Sequence, residues 1–389
     1  MEERRFWGQR KPRCVLTDSP VGIEMESCEV ESQTLELPFF APNQSPLLSD
    51  HTTFHIGGAA DELVIAGTSE ELVAAVSEAD AAGIPLLVLS GGSNMLCADE
   101  GFHGRVVLVA TRGVAAEVSD CGGAVVRVAA GENWDSFVKY AIQNEWSGLE
   151  SLSGIPGLVG STPVQNVGAY GAEVSQTVYQ VRTYDRLTKQ YKTFANADCL
   201  FDYRDSLFKQ SREPGQATGR YVILEVVFQL GLGTLSAPIA YAELARSLGV
   251  TVGERVPMTQ VRDAVLALRR GKGMVVDPLD RDTWSAGSFF MNPILTADAA
   301  DELPAEAPRF GRADGMVKTS AAWLIDHAGF SKGYVCGGAG ISTKHVLALT
   351  NRDNASSADV IELAREVITG VQEKFRVELT PEPVFIGLD

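Results

Sequence analysis

From His51 onward, hydrophobic positions follow two periods. Short apolar runs of strand length alternate with stretches whose apolar residues recur every three or four positions, the pattern of packed strands and helices. DELVIAG (61–67) reads as a short buried strand. Thr68 caps the helix after it, with Glu71 completing a capping box and Gly83 as the stop. Leu72, Val73, Val76 and Ala79 give that helix one apolar face. PLLVLS (85–90), RVVLVA (105–110) and AVVRVAAG (124–131) read as further strands. WDSFVKYAIQN (134–144) reads as a helix facing inward with Phe137, Val138, Ala141 and Ile142. Strands resume at VYQVRTYD (178–185) and YVILEVVFQL (221–230), and PMTQVRDAVLALRRGKG (257–273) predicts a helix ending in a basic cluster. Beyond it the pattern gives a helix in SAAWLIDHAG and a short strand in HVLALTN. Ser356 then caps a helix whose Val360, Leu363, Ala364, Val367 and Val371 share one face, and RVELTPEPVFIG ends the chain as a strand.

Two stretches break the pattern. Residues 1–47 mix Pro12, Pro20, Pro38, Pro42 and Pro46 with acids and hold no period. They are expected to be a disordered extension, with Met25 as an alternative start. Residues 148–171, GLESLSGIPGLVGSTPVQNVGAYG, are rich in Gly, Ser and Pro yet keep apolar content. A long loop would read this way. A segment bringing its backbone close to a ligand reads better, because long irregular stretches inside compact domains are usually functional or disordered.

Composition narrows the classes. A chain of 389 residues suggests two or three domains. A net charge of −17 argues against unspecific nucleic-acid or membrane-surface binding, though an anionic substrate could still meet a locally basic pocket. Cys14, Cys28, Cys97, Cys121, Cys199 and Cys336 form no CxxC pair and no zinc-like cluster with histidines. Reduced, mostly buried thiols are expected, with no metal site. The basic N-terminus is followed by no apolar signal-peptide core, and no run approaches the roughly 18 residues that span a membrane.

Four motifs could carry chemistry. GGSN (91–94) follows a buried strand, so its backbone N–H groups could cradle phosphate oxygens, or the glycines could serve packing alone. It is not the GxGxxG dinucleotide fingerprint. YRDSLFK (203–209) gathers Tyr203, Arg204 and Lys209, either as a surface cluster or as an Arg fork for a carboxylate. GSFFMNP (287–293) is no hydrolase elbow, which leaves its serine open as a proton donor. Glu382 in TPEP (380–383) is either an exposed strand residue or a carboxylate of raised pKa.

Taken together the chain resembles the UDP-N-acetylenolpyruvoylglucosamine reductase family. The resemblance runs from about Leu48 to Gly387 through HTTFHIGG, LSGGSN, AAGENWDSFV, the 148–171 segment, YRDSLFK, LRRGKG, GSFFMNP, AAWLIDHAGFSKGY and TPEPVFIG, in family order. It implies an α+β fold, with a two-part FAD-binding region over 48–274 (divided near 118) and a substrate domain over 275–375. Residues 376–389 would then return to the flavin as a C-terminal strand. It also implies FAD as cofactor, NADPH as co-substrate, UDP-N-acetylglucosamine enolpyruvate as substrate, and a monomer in the bacterial cytoplasm.

Residue by residue, the resemblance assigns Ser288 as general acid and Arg204 and Glu382 as holders of the substrate carboxylate. FAD contacts would come from Gly91, Gly92, Ser93 and Asn94, and from Gly160, Ser161, Gln165, Asn166, Gly168 and Ala169. Tyr203, Tyr241, Lys272, Asn292 and His345 match substrate or nicotinamide contacts, Tyr241 on the loop that defines one of the family's two types. Met291 and Pro383 depart from the family, which often has lysine and valine there, and the N-terminal extension has no counterpart. Two rivals are a flavin oxidase of similar fold and a catalytically silent nucleotide-binding regulator. Flavin release on denaturation and NADPH consumption discriminate them.

Overall fold

The computed structural model describes residues 30–38 and 41–388. Ala60–Ala66, Phe102–Val109 and Leu86–Leu89 form a parallel three-stranded sheet in that spatial order. The Ser69–Ala82 helix crosses between its outer strands. Thr68 accepts from the Glu71 N–H while Glu71 reaches back, and Gly83 ends the helix in a left-handed turn at φ 66°. These are the caps that the sequence predicts.

An antiparallel sheet forms the second layer. Its main path runs Glu31–Leu35, Val114–Ser119, Gly123–Ala129, Tyr221–Leu232, Val178–Asp185 and Gln190–Ala195. The Trp134–Gln143 helix lies on it, burying Trp134, Phe137, Val138, Ala141 and Ile142. Trp134 and Phe137 sit 6.0 and 5.1 Å from the Phe228 ring, so aromatic packing ties helix to sheet.

The C-terminal part packs Ala321–Ala328 and Ser357–Phe375 around Phe289, Phe290, Leu324 and Leu363. Phe54 and Leu96 share that core, so it is continuous with the N-terminal half. Val384–Ile386 pairs in parallel with Met95–Cys97, returning the chain end to the strand beside GGSN. A satellite core is built by the Ala242–Leu248 and Met258–Gly271 helices, which enclose Ile239, Leu244, Ala245, Val261 and Val265 against Tyr170. The whole is an α+β fold.

Several expectations need correction. Glu31–Leu35, inside the stretch expected to be disordered, pairs in register with Val114–Ser119, and Leu37 is buried in the main core. Residues 1–29, including Met25, Cys14, Cys28 and the basic cluster, lie outside the described residues. The final strand is only Val384–Ile386, because the residues just before it pair with Phe289 and Met291 instead. HVLALTN shortens to Leu349–Asn351, and the pattern had not marked Gln190–Ala195 or the Ala242–Leu248 helix. Cys97, Cys199 and Cys336 are free, but Cys121 is disulfide-bonded, contrary to the expectation that every thiol is reduced. No helix among the described residues is long and apolar enough to cross a membrane.

Candidate active site

A cavity of about 390 Å³ opens where the layers meet, within the usual range for small-molecule sites. Its wall includes Ser90–Met95, residues 160–162, Gln165, Gly168, Arg204, Lys209, Arg269, Gly287, Ser288 and Glu382. Six separate stretches of sequence thus converge.

Glycine makes the convergence possible. Gly92 has φ +57°, and a Cβ there would fall 1.9 Å from the His51 carbonyl oxygen. A Cβ on Gly91 would meet Gly157 Cα at 2.6 Å, so GGSN lies directly on the 148–171 segment. Ser93 Oγ donates to the Pro156 carbonyl at 3.1 Å across the same contact.

Glu382 arrives by backbone pairing. Its N–H donates to the Phe289 carbonyl at 2.8 Å, and the Met291 N–H donates to the Thr380 carbonyl at 3.0 Å. That pairing brings Ser288 and Glu382 into one wall. The Val384 N–H then turns to the Asn94 carbonyl at 3.0 Å. Pro383 sits where the chain switches partners, so its missing N–H interrupts neither set of bonds.

The Glu382 side chain is almost enclosed. Gln165 Nε2 donates to its Oε1 at 3.2 Å, while Gln165 Oε1 accepts from Asn94 Nδ2 at 2.8 Å. Arg204 Nε lies 3.1 Å from the same carboxylate oxygen, yet its N–H has no aligned acceptor. Burial raises the Glu382 pKa above its ordinary value, and the nearby Arg204 and Lys209 charges offset this only in part. A carboxyl of raised pKa keeps its proton to a higher pH, and only the protonated form can donate.

Arg204 is fixed from two sides. Its backbone adopts φ 55°, unusual for a non-glycine residue, and its Nη2 donates to the Gly168 carbonyl at 2.9 Å. Lys209 Nζ donates to the Arg204 carbonyl at 2.8 Å. Such strain persists only where surroundings over-determine it.

Other sequence-predicted residues are not in the cavity wall. Asn166 is buried and spends its amide on Glu173, Asp202 and Ser175. Ala169 lies in a two-stranded turn with Ala172. Asn292 Oδ1 accepts from the Ala321 N–H at 3.0 Å, at the start of a helix. Tyr203 stands next to Arg204 in sequence, with Lys318 Nζ 4.8 Å from its ring centre.

A second cluster forms outside the cavity. Lys272 Nζ contacts Glu243 Oε2 at 2.6 Å and lies 5.7 Å from the Tyr170 ring, which meets Tyr241 edge-on at 5.8 Å. His345 joins from the C-terminal part. Burial first, then the Lys272 and Lys332 charges, push its pKa down to about 4.

Sequence reasoning missed Arg269. It lines the cavity wall, with Nη2 donating to the Met274 carbonyl at 2.7 Å and a buried Nε unpartnered. Burial lowers its pKa to about 10, which still leaves it charged at neutral pH. Helical spacing could have found it, since Val261, Val265 and Arg269 share one face. Elsewhere, Cys336, Glu362 and Glu366 place three ligand-type atoms within 4.8 Å of one another, two of the residues being exposed acids.

This arrangement has known counterparts. A family described as an FAD binding domain matches residues 60–189, so the class is a flavoprotein oxidoreductase. The C-terminal domain of UDP-N-acetylenolpyruvoylglucosamine reductase matches residues 277–386. The reductase of that name from Cutibacterium acnes is 57% identical over 87% of this chain and 89% of its own. The Thermobifida fusca reductase is 52% identical over 88% and 97%. The crystal structure of the reductase from Thermus caldophilus superposes with a TM-score of 0.59 at 26% identity, covering 92% of this chain and 100% of the other. The chain belongs to the UDP-N-acetylenolpyruvoylglucosamine reductase family and is an FAD-dependent oxidoreductase.

The residues present suit FAD. Close glycine backbones line one side of the cavity, and Ser90 Oγ and Arg269 Nε are buried polar atoms in its wall without a partner in the chain. A polar, electron-rich cofactor satisfies both.

Proposed function

We propose that this protein uses NADPH to reduce UDP-N-acetylglucosamine enolpyruvate to UDP-N-acetylmuramate, a step of peptidoglycan synthesis in the bacterial cytoplasm. FAD, when bound, would supply the hydride-transfer chemistry, with NADPH as the reductant. Gly91–Asn94, residues 160–168 and Arg269 would hold it.

The protein's own residues manage charge and proton. When the terminal vinyl carbon gains hydride, negative charge develops on the adjacent carbon and spreads into the substrate carboxylate. Arg204 holds that carboxylate, and protonated Glu382 donates to it, so charge meets fixed donors in a partly dry site. Ser288 delivers its hydroxyl proton to the carbanionic carbon, completing the lactyl ether. Its alkoxide is reprotonated from solvent. Tyr203, Tyr241, Lys272 and His345 contact the nucleotide and sugar, with Lys272 as a point charge on the diphosphate.

The observation that carries this reading is the meeting of Ser288, Arg204 and a buried Glu382 of raised pKa in one cavity wall beside glycine-rich backbone. Purified protein should show flavin absorbance, which NADPH bleaches and the enolpyruvyl UDP-sugar restores. A flavin that NADPH reduces but the UDP-sugar does not reoxidise refutes the reaction.

A further inference from the structure

We propose that Glu243 is an internal counter-ion that competes with the nucleotide diphosphate for Lys272 and so sets how tightly the diphosphate is held. This rests on the reading that Lys272 grips that diphosphate.

Lys272 follows the last turn of the Met258–Gly271 helix, and Glu243 lies in the first turn of Ala242–Leu248, next to Tyr241 but one. Their 2.6 Å contact joins the two helices of the satellite core, with each side chain about one-third exposed at 33%. The groups around it are otherwise cationic or neutral. Lys332 and Lys272 both bear on His345, and a histidine with pKa about 4 is uncharged at pH 7. Tyr170 and Tyr241 supply phenols, and Tyr241 is 46% exposed. Among these groups Glu243 alone is an acid, on a chain whose net charge is −17. It does not line the main cavity, so it acts through Lys272 and not on the reacting atoms.

A carboxylate at this distance already occupies one ammonium N–H and offsets its charge. An incoming diphosphate must displace it or share Lys272 with it, and like charges then oppose each other. Partial exposure lets water screen the pair, which makes the effect a moderate setting of affinity. When a diphosphate-bearing product leaves, Glu243 can resume the contact, which keeps the product's residence short. A purely structural role for the pair, tying two helices together, predicts the opposite sign on Glu243 substitution.

UDP is titrated calorimetrically into FAD-loaded wild type, Glu243→Gln, Glu243→Asp, Lys272→Met and the Gln/Met double variant at low salt. Glu243→Gln should bind UDP about fivefold more tightly, the reach of one partly exposed charge pair. Glu243→Asp, which keeps the charge, should stay near wild type. Lys272→Met should weaken binding, and the double variant should match it. Unchanged or weaker binding by Glu243→Gln, with Lys272→Met still impaired, overturns the proposal and leaves the Lys272 reading intact. Unchanged binding by Lys272→Met overturns both.

Discussion

Asp135 meets Arg262 through two aligned hydrogen bonds, Nη1 to Oδ1 and Nη2 to Oδ2, each 2.7 Å. Glu382 meets Arg204 through one off-line approach of 3.1 Å. The first pair joins the Trp134–Gln143 and Met258–Gly271 helices, and the second lines the cavity. Burial pushes both carboxyls upward. At Asp135 it is outweighed by Arg262 and by the Gly154 N–H, so the pKa falls below the ordinary value. At Glu382 nothing outweighs it, so the pKa rises. The same two functional groups therefore give a structural clamp in one place and a carboxyl of raised pKa in the other. What differs is alignment and the number of donors the fold brings to the carboxylate. A clamp is fully satisfied within the protein, while a reactive group keeps capacity for a ligand.

If that distinction holds, removing a cavity group should damage chemistry and spare the fold. The largest effect should fall on Ser288. Ser288→Ala should reduce FAD with NADPH at a near-normal rate, because that half-reaction generates no carbanion. Reoxidation by the enolpyruvyl UDP-sugar should slow at least about a hundredfold, the lower range for general acids. Ser288→Cys should recover part of the loss. Stopped-flow traces of each half-reaction decide it, and equal loss in both would remove Ser288 from proton transfer.

The two carboxylates should then part in stability. Asp135→Asn leaves Arg262 without its charge partner and should destabilise by about 2 kcal/mol, moderated by partial exposure. Glu382→Gln should leave stability unchanged or slightly raised at pH 7, while turnover falls. The pH dependence separates them further. The depressed Asp135 pKa contributes stability above its unfolded value, and this is lost as pH falls through the lower folded value. Glu382 has the reverse sign. Its penalty is absent below the ordinary carboxylate range and appears as pH rises through the raised folded value. Urea unfolding between about pH 3 and 8 should therefore show the Glu382→Gln advantage growing with pH, across the ordinary range near 4. Parallel curves for wild type and variant would mean that Glu382 ionises as an exposed acid does.

Sequence made the clamps of local structure easier to see than either pair. Thr68 with Glu71 and Ser356 with its helix face are written within a few residues, because capping is a local contact. GGSN and the 148–171 segment were legible as backbone that approaches closely, since few residues besides glycine tolerate such contacts. The Glu382 environment was legible only as two alternatives, since nothing in TPEP tells which side of a strand it faces. Arg269 was hidden in LRRGKG, where a basic run suggests a solvated helix end. Glu243 and Lys272 lie on different helices, and only the fold makes them neighbours. Glu31–Leu35 escaped notice because an edge strand with polar residues on its open side carries little hydrophobic period.

That edge strand gives the smallest predicted effect and a control that contains neither pair. Glu31–Leu35 pairs along its full length with Val114–Ser119. Just beyond it, Leu37 is 6% exposed, and its carbonyl accepts from Arg112 Nη2 at 2.8 Å. Deleting residues 1–38 would remove this pairing, uncover core beneath Leu37 and leave Val114–Ser119 as a bare edge. Deleting only residues 1–29 would keep all three contacts. Burying one leucine stabilises by about 1.5–3 kcal/mol, but a terminal strand also loses conformational entropy on ordering, which offsets much of its pairing. The longer deletion should therefore be about 1–2 kcal/mol less stable than the shorter one. The rate of flavin reduction by NADPH should be the same in both, since none of these residues lines the cavity. Equal melting temperatures would show that the strand adds nothing to the fold. A loss of flavin reduction specific to the longer deletion would instead tie this edge to the active site.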